Sequence, residues 1–203
     1  MNERAFDQLL NIKTEGSGKG FGKALHYHRY EPTPYAALEL LFREYELKSS
    51  DHVVDFGCGK GRSNFYIHYL SNATVKGVEM NEAIYQEATQ NRDRYWKKAR
   101  SRKGQIQFYC CLAEEYKIDP SDNRFYFFNP FSIEIFMKVI NNILQSVEKA
   151  RRDIELIIYY CSDEYLFFLE NQTAFELKKE VILPGFNDRN PSERFLIYRL
   201  DNK

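Results

Sequence analysis

Asp55, Gly57, Gly59 and Gly61 fall together in VVDFGCGKGR (residues 53–62), where an apolar run stops at an acid and then turns on alternate glycines. Glycine reaches left-handed backbone angles and carries no Cβ, so a chain built this way can pass within contact distance of a ligand. A carboxylate at the tip of the preceding strand can meet a cation or a pair of hydroxyls. The residues after the first two glycines decide which ligand suits the turn. A dinucleotide-binding G-x-G-x-x-G needs its third glycine at position 62, and Arg62 stands there. A phosphate-binding G-x-x-x-x-G-K-[ST] is not present either. In the second glycine cluster, GSGKGFGK (16–23), Ser17 occupies the first glycine position, Ala24 follows the lysine, and no strand-like run precedes it.

A second acid, Glu79, ends the next apolar run, TVKGVEM (74–80). The combined pattern, two apolar residues, Asp-x-Gly-x-Gly-x-Gly, then an acid closing the second strand, resembles the class I S-adenosylmethionine-dependent methyltransferases. The resemblance extends from about residue 34 to the C-terminal hairpin. It implies S-adenosylmethionine as cofactor, with Asp55 balancing the α-ammonium and Gly57, Cys58, Gly59 and Gly61 passing the methionyl portion. Glu79 would accept both ribose hydroxyls, a charge-assisted pairing, with Met80 beside it. At the adenine end, CCLAEEY places Leu112 where the family often has an acid. The resemblance then carries over to Ala113 through its N–H and to Glu114. Read from the residues alone, Glu114 and Glu115 equally suit a solvated helix start favoured by the dipole.

FFNPF (127–131) is similar to the Asn/Asp-Pro-Pro-aromatic motif of amine-directed members, with one proline in place of two. The likeness implies that Asn129 borders both cofactor and substrate. Asn129 and the carbonyl of Pro130 would accept from a planar amine while Phe131 stacks on the acceptor. The alternative is turn chemistry, Asn-Pro closing a strand ahead of a helix capped by Ser132. No residue is nominated as general base. The expected reaction is in-line methyl transfer to an unidentified nucleophile, with an amine of a nucleobase, protein or small molecule among the candidates. Two other readings stay open: a non-catalytic cofactor- or partner-binding module, and an NAD(P)-dependent oxidoreductase, which Arg62 disfavours.

The elements that must position these groups alternate along the chain. Strand-like HVVDF (52–56), TVKGVEM (74–80), IQFYCCL (106–112), RFYFFNPF (124–131) and IELIIYYC (154–161) are interleaved with helix-like SNFYIHYL (63–70), EAIYQEATQNRDRYWKKAR capped by Asn81, IEIFMKVINNILQSVEKA and DEYLFFLENQ. FELKKEVIL and RFLIYRL pair as a hairpin across PGFNDRNPSE. The expected fold is α/β: a doubly wound, Rossmann-like, mostly parallel seven-stranded sheet ending in an antiparallel hairpin. An N-terminal helical appendage precedes it, residues 1–50, with PYAALELLFREYEL (34–47) as its helix and 51–203 as the cofactor-binding domain.

With 203 residues and zero formal net charge, the chain can bury one sizeable core and carries no global field towards polyanions. Cys58, Cys110, Cys111 and Cys161 show no C-x-x-C spacing. With no signal peptide and no apolar stretch near membrane-spanning length, the expectation is a cytoplasmic protein with reduced thiols. HYHRYEPTPY (26–35) holds His26 and His28 without a third ligand, so no metal is expected. Its Tyr27, Tyr30 and Tyr35 suit either the wall of a substrate pocket under a lid or a surface arm packed on the sheet. RDRYWKKARSRK (92–103) is strongly basic and suits a solvated helix face or, less favoured, a nucleic-acid backbone.

Overall fold

A computed structural model describes residues 2–16, 31–99, 104–186, 188 and 190–201. Its strands are β1 (His52–Phe56), β2 (Thr74–Glu79), β3 (Ile106–Cys110), β4 (Arg124–Phe128), β5 (Ile154–Tyr159), β6 (Glu176–Ile182) and β7 (Arg194–Leu200). They form one sheet in the order β3-β2-β1-β4-β5-β7-β6. The first five are parallel to one another, and β7 inserts antiparallel between β5 and β6. This is the doubly wound, Rossmann-like sheet with a closing antiparallel hairpin that the strand–helix alternation predicts.

The central strands β1, β4 and β5 are apolar on both faces because helices cover both. Val53, Tyr126, Ile157 and Tyr159 face one core, which they share with Phe6, Tyr35, Leu38, Phe65 and Tyr95. Their neighbours Val54, Phe56, Phe125, Phe127, Leu156 and Ile158 face the other, with Phe136, Ile140 and Tyr165. The first core lies under α1 (Glu3–Leu10), α2 (Tyr35–Glu44), α3 (Arg62–Ser71) and α4 (Glu82–Lys98); the second lies under α5 (Ile133–Lys149) and α6 (Asp163–Gln172).

Three local features differ from the sequence expectation. Helix α1 forms in a stretch that reads only as polar; Asn2 caps it by accepting from the Ala5 N–H at 2.9 Å, and Phe6 and Leu10 are buried beneath it. Strand β4 stops at Phe128 because Asn129 turns into the left-handed region, φ 37°. Asn81 caps α4 as expected, its Oδ1 accepting from the Ile84 N–H, whereas Ser132 precedes α5 without a side-chain capping bond. Strand order reverses between β1 and β4, so the crevice available to a ligand lies beyond their carboxyl ends.

Candidate functional site

The glycine turn occupies that crevice. Gly57, Gly59 and Gly61 all take positive φ, at 76°, 56° and 85°, a path that residues with a Cβ follow only at a cost. Two are also pressed from the side. A Cβ on Gly57 would meet Pro130 Cβ at 2.6 Å, and one on Gly61 would meet the Phe108 ring at 2.7 Å. Pro130, proposed as a substrate contact, therefore packs directly on the glycine turn. Gly77 in β2 has the same function on the inner side, leaving room for the Cys58 thiol and Phe108.

Two carboxylates flank the turn. Glu79, at the tip of β2 and almost fully buried, accepts from the Gly59 N–H at 3.1 Å and from the Asn81 N–H at 2.7 Å. Burial raises its pKa, and these backbone donors, with that of Met80, pull the other way. Asp55, at the tip of β1, is only 3% exposed. Burial, then the nearby charge of Glu79, pushes it up to about 8. Among the described residues no cation pairs with either acid. Such a pair of desolvated carboxylates beside a Cβ-free turn is chemically suited to a ligand with a positive charge and vicinal hydroxyls.

The N-terminal segment is fastened to this turn by Arg62, the residue that stands where a dinucleotide fold would have glycine. Its guanidinium is buried, forms an ion pair with Glu3, donates to Thr14 Oγ1 at 2.7 Å and to the Thr33 carbonyl at 3.3 Å, and lies 4.6 Å over the Tyr35 ring. Thr33 Oγ1 also meets Tyr126 Oη at 2.8 Å. Residues 31–33 thereby sit over Asp55, Gly57 and Cys58 and leave about 20 Å³ of space there. Lower down, Asn91 bonds both backbone groups of Lys13 and the Lys60 carbonyl, which holds the arm between the turn and α4.

The remaining expected site residues separate. Asn129 and Pro130 are half-buried at the carboxyl end of β4. Phe131 points into the second core, 1% exposed and edge-on to Phe127, while its carbonyl accepts from the Tyr165 hydroxyl. Its ring does not face the crevice. Tyr35 is also interior: its hydroxyl donates to Asp7 at 2.8 Å and its ring stacks on Phe6. Ala113 and Glu114 start a single 3₁₀ turn, Ala113–Glu115, against α5. The Glu114 carbonyl accepts from Asn142 and its carboxylate faces Lys138. Tyr27, Tyr30, His26, His28 and residues 100–103 of the basic run lie outside the described residues. Lys97 and Lys98 are exposed, and Arg92 pairs with Asp93. Among the described residues no His, Cys, Asp and Glu side chains gather as metal ligands, and no helix is long and apolar enough to cross a membrane.

Sequence reasoning missed Arg62 as an anchor and Tyr160 altogether. Tyr160 follows β5 with φ 55°, side by side with Asn129, because Phe128 and Tyr159 are paired in register. Asn64, buried on α3 with neither amide atom bonded, has no explanation in the structure.

No family model matches the chain, and no curated protein matches it. Solved structures do. An RNA methyltransferase from Salinibacter ruber in complex with S-adenosyl-L-homocysteine superimposes with a TM-score of 0.55 at 14% identity, covering 83% of this chain and 92% of that one. An S-adenosylmethionine-dependent methyltransferase from Methanosarcina mazei gives 0.58 at 14%, covering 80% and 98%. Geranyl diphosphate C-methyltransferase from Streptomyces coelicolor, in complex with Mg2+, geranyl diphosphate and S-adenosyl-L-homocysteine, gives 0.53 at 14%, covering 83% and 79%. The chain has the Rossmann-like methyltransferase fold that these proteins share.

Proposed function

We propose that this chain is an S-adenosylmethionine-dependent methyltransferase whose cofactor lies along the glycine turn between Asp55 and Glu79. The observation that carries the reading is the pair of buried carboxylates at the tips of β1 and β2, neither paired with a cation among the described residues, with Glu79 accepting from the Gly59 N–H. Two of the solved structures of this fold hold S-adenosyl-L-homocysteine, which supports the same cofactor here. Asp55 faces the α-ammonium, which supplies the positive charge that this acid lacks. Glu79 takes the ribose hydroxyls in place of one or both of its backbone donors.

The cofactor supplies an electrophilic methyl on a sulfonium. The protein's part is to align acceptor, methyl carbon and sulfur and to exclude water, which needs no covalent help from a side chain. Asn129 borders both ligands, and it and the Pro130 carbonyl orient the acceptor at the carboxyl end of β4. Phe131 supports that loop from within the core. Ala113 and Glu114 remain the candidates for the adenine edge. Residues 1–50 act as a covering appendage of the same unit as 51–203. The acceptor is a nucleophile of small-molecule, protein or nucleic-acid origin, and the location expected is cytoplasmic.

Isothermal titration with S-adenosyl-L-homocysteine tests the reading. Glu79→Gln keeps an acceptor for the Gly59 N–H and is expected to weaken binding about 10- to 100-fold, the range of a charged hydrogen bond, with little change in melting temperature. Undiminished affinity in that variant, or binding of NADH in place of S-adenosyl-L-homocysteine, would overturn it. Methyl-labelled cofactor incubated with fractionated cell extract separates an enzyme from a binding module, since a module transfers label to no fraction.

A further inference from the structure

Beside Asn129 the crevice has a wall of rings and acids that cofactor binding does not use. Phe128 and Tyr160 are half-buried where β4 and β5 end, their ring centroids 6.5 Å apart, and both lean on the buried Tyr159, 4.6 Å from Phe128. Tyr160 leaves β5 in the left-handed region, and its hydroxyl accepts from the Asn190 amide at 2.7 Å. This backbone is costly for an aromatic residue and holds its ring at the strand ends. Tyr159 donates to the carboxylate of Glu193 on the β6–β7 connection. Glu31, exposed on the N-terminal segment, lies close enough to Tyr159 for its charge to act on the phenol, and it borders the same small space as Phe128 and Asp55.

The charge of this wall discriminates between acceptors. Glu31 and Glu193 would both repel a phosphate or carboxylate. Of the described guanidiniums on the adjoining elements, Arg62 is engaged by Glu3 and Arg194 by Glu180. A positively charged nitrogen meets the opposite situation: the faces of Phe128 and Tyr160 attract it by their quadrupoles, and the carboxylates add a longer-range field.

We propose, resting on the methyltransferase reading above, that the acceptor is an amine whose nitrogen lies against Phe128 and Tyr160, with Glu193 and Glu31 as its counter-charges. The amine reacts in its neutral form, after losing any proton to solvent. Its lone pair forms the new C–N bond as the C–S bond breaks and that electron pair goes to sulfur. The sulfonium becomes a neutral thioether and the nitrogen becomes an alkylammonium that keeps its remaining protons. Positive charge therefore moves from sulfur to nitrogen, and rings and carboxylates placed at the nitrogen stabilise the transition state more than the neutral amine.

The test uses the full chain and choline as a cationic probe, set against its neutral carbon isostere and inorganic phosphate. Each is titrated with and without saturating S-adenosyl-L-homocysteine. Choline is expected to bind about tenfold tighter than the isostere, the order that a desolvated cation–π contact supplies. Glu193→Gln and Tyr160→Asn, the latter chosen because asparagine tolerates the left-handed backbone, should each reduce choline binding several-fold and leave S-adenosyl-L-homocysteine affinity unchanged. Equal binding of choline and isostere, preference for phosphate, or choline binding unaffected in both folded variants would overturn the proposal. Failure of the unmodified protein to bind S-adenosyl-L-homocysteine would overturn the cofactor reading instead, and the choline titration without it would still decide the wall.

Discussion

Buried carboxylates gather at both ends of the sheet, and the two ends treat them in opposite ways. At the amino ends of the strands Asp122 accepts from Lys76 Nζ at 2.7 Å, from the Tyr116 hydroxyl at 3.1 Å and from the Asp119 N–H at 2.9 Å. Glu155 accepts from Tyr45 and Lys178 and faces Arg124; these partners overcome its burial and hold its carboxyl below the ordinary range. At the carboxyl ends Asp55 and Glu79 are as deeply placed, have no cation among the described residues, and are shifted upwards. Burying a charge is costly unless it is paired, so the first end satisfies its own electrostatics and the second is left to be completed by a ligand. The same residue chemistry thus serves structure at one end and recognition at the other.

The contrast breaks most visibly at the paired end. Asp122→Ala leaves Lys76, 9% exposed at its side chain, without its closest partner. It is expected to cost about 3–5 kcal/mol in a denaturant titration, the usual penalty for orphaning one member of a buried pair. A loss below about 1 kcal/mol would mean that solvent already screens this end. Next in size is Arg62→Ala, which strips the arm of an ion pair and two hydrogen bonds. About 2 kcal/mol is expected, together with faster proteolysis in the segment ahead of α2, while the Asp122 network stays intact. If cleavage is no faster, the arm is held chiefly by Phe6, Leu10 and Tyr35 in the core.

Much of the unpaired end could be read from the sequence, and little of the paired end could. Gly57, Gly59, Gly61 and Glu79 are recognisable because their function depends on backbone freedom and strand-end position, which are local properties. The sheet is legible in short apolar runs at regular intervals. Arg62 reads only as an absent glycine, since its partners Glu3, Thr14 and Thr33 are distant in the chain. The same holds for Lys76 with Asp122 and Tyr45 with Glu155, pairs that only the folded sheet brings together. Phe131 and Tyr35 look like pocket residues in one dimension. The left-handed turn at Asn129 is followed by a ring seated in the second core, and the Asp7 carboxylate draws the Tyr35 hydroxyl inwards.

The pH dependence of Asp55 is the sharpest test of the unpaired end. Asp55 in the folded chain is raised to about 8, so the native state holds its proton more tightly than the unfolded chain does. That contribution to stability is complete below the ordinary carboxylate pKa of about 4 and disappears as pH rises through about 8. Asp55→Asn removes the titration, so the unmodified protein should lose stability relative to the variant over that interval. A ligand ammonium reverses the preference, because it favours the charged carboxylate. Below about pH 8 binding of S-adenosyl-L-homocysteine should therefore expel a proton from Asp55, and its affinity should rise with pH until that group is ionised. Calorimetry at fixed pH in buffers of different ionisation enthalpy counts the proton. In Asp55→Asn the count should fall and affinity with it, without the folding loss expected of Asp122→Ala. An unchanged proton count and unchanged affinity would make Asp55 a tolerated buried acid and confine recognition to Glu79.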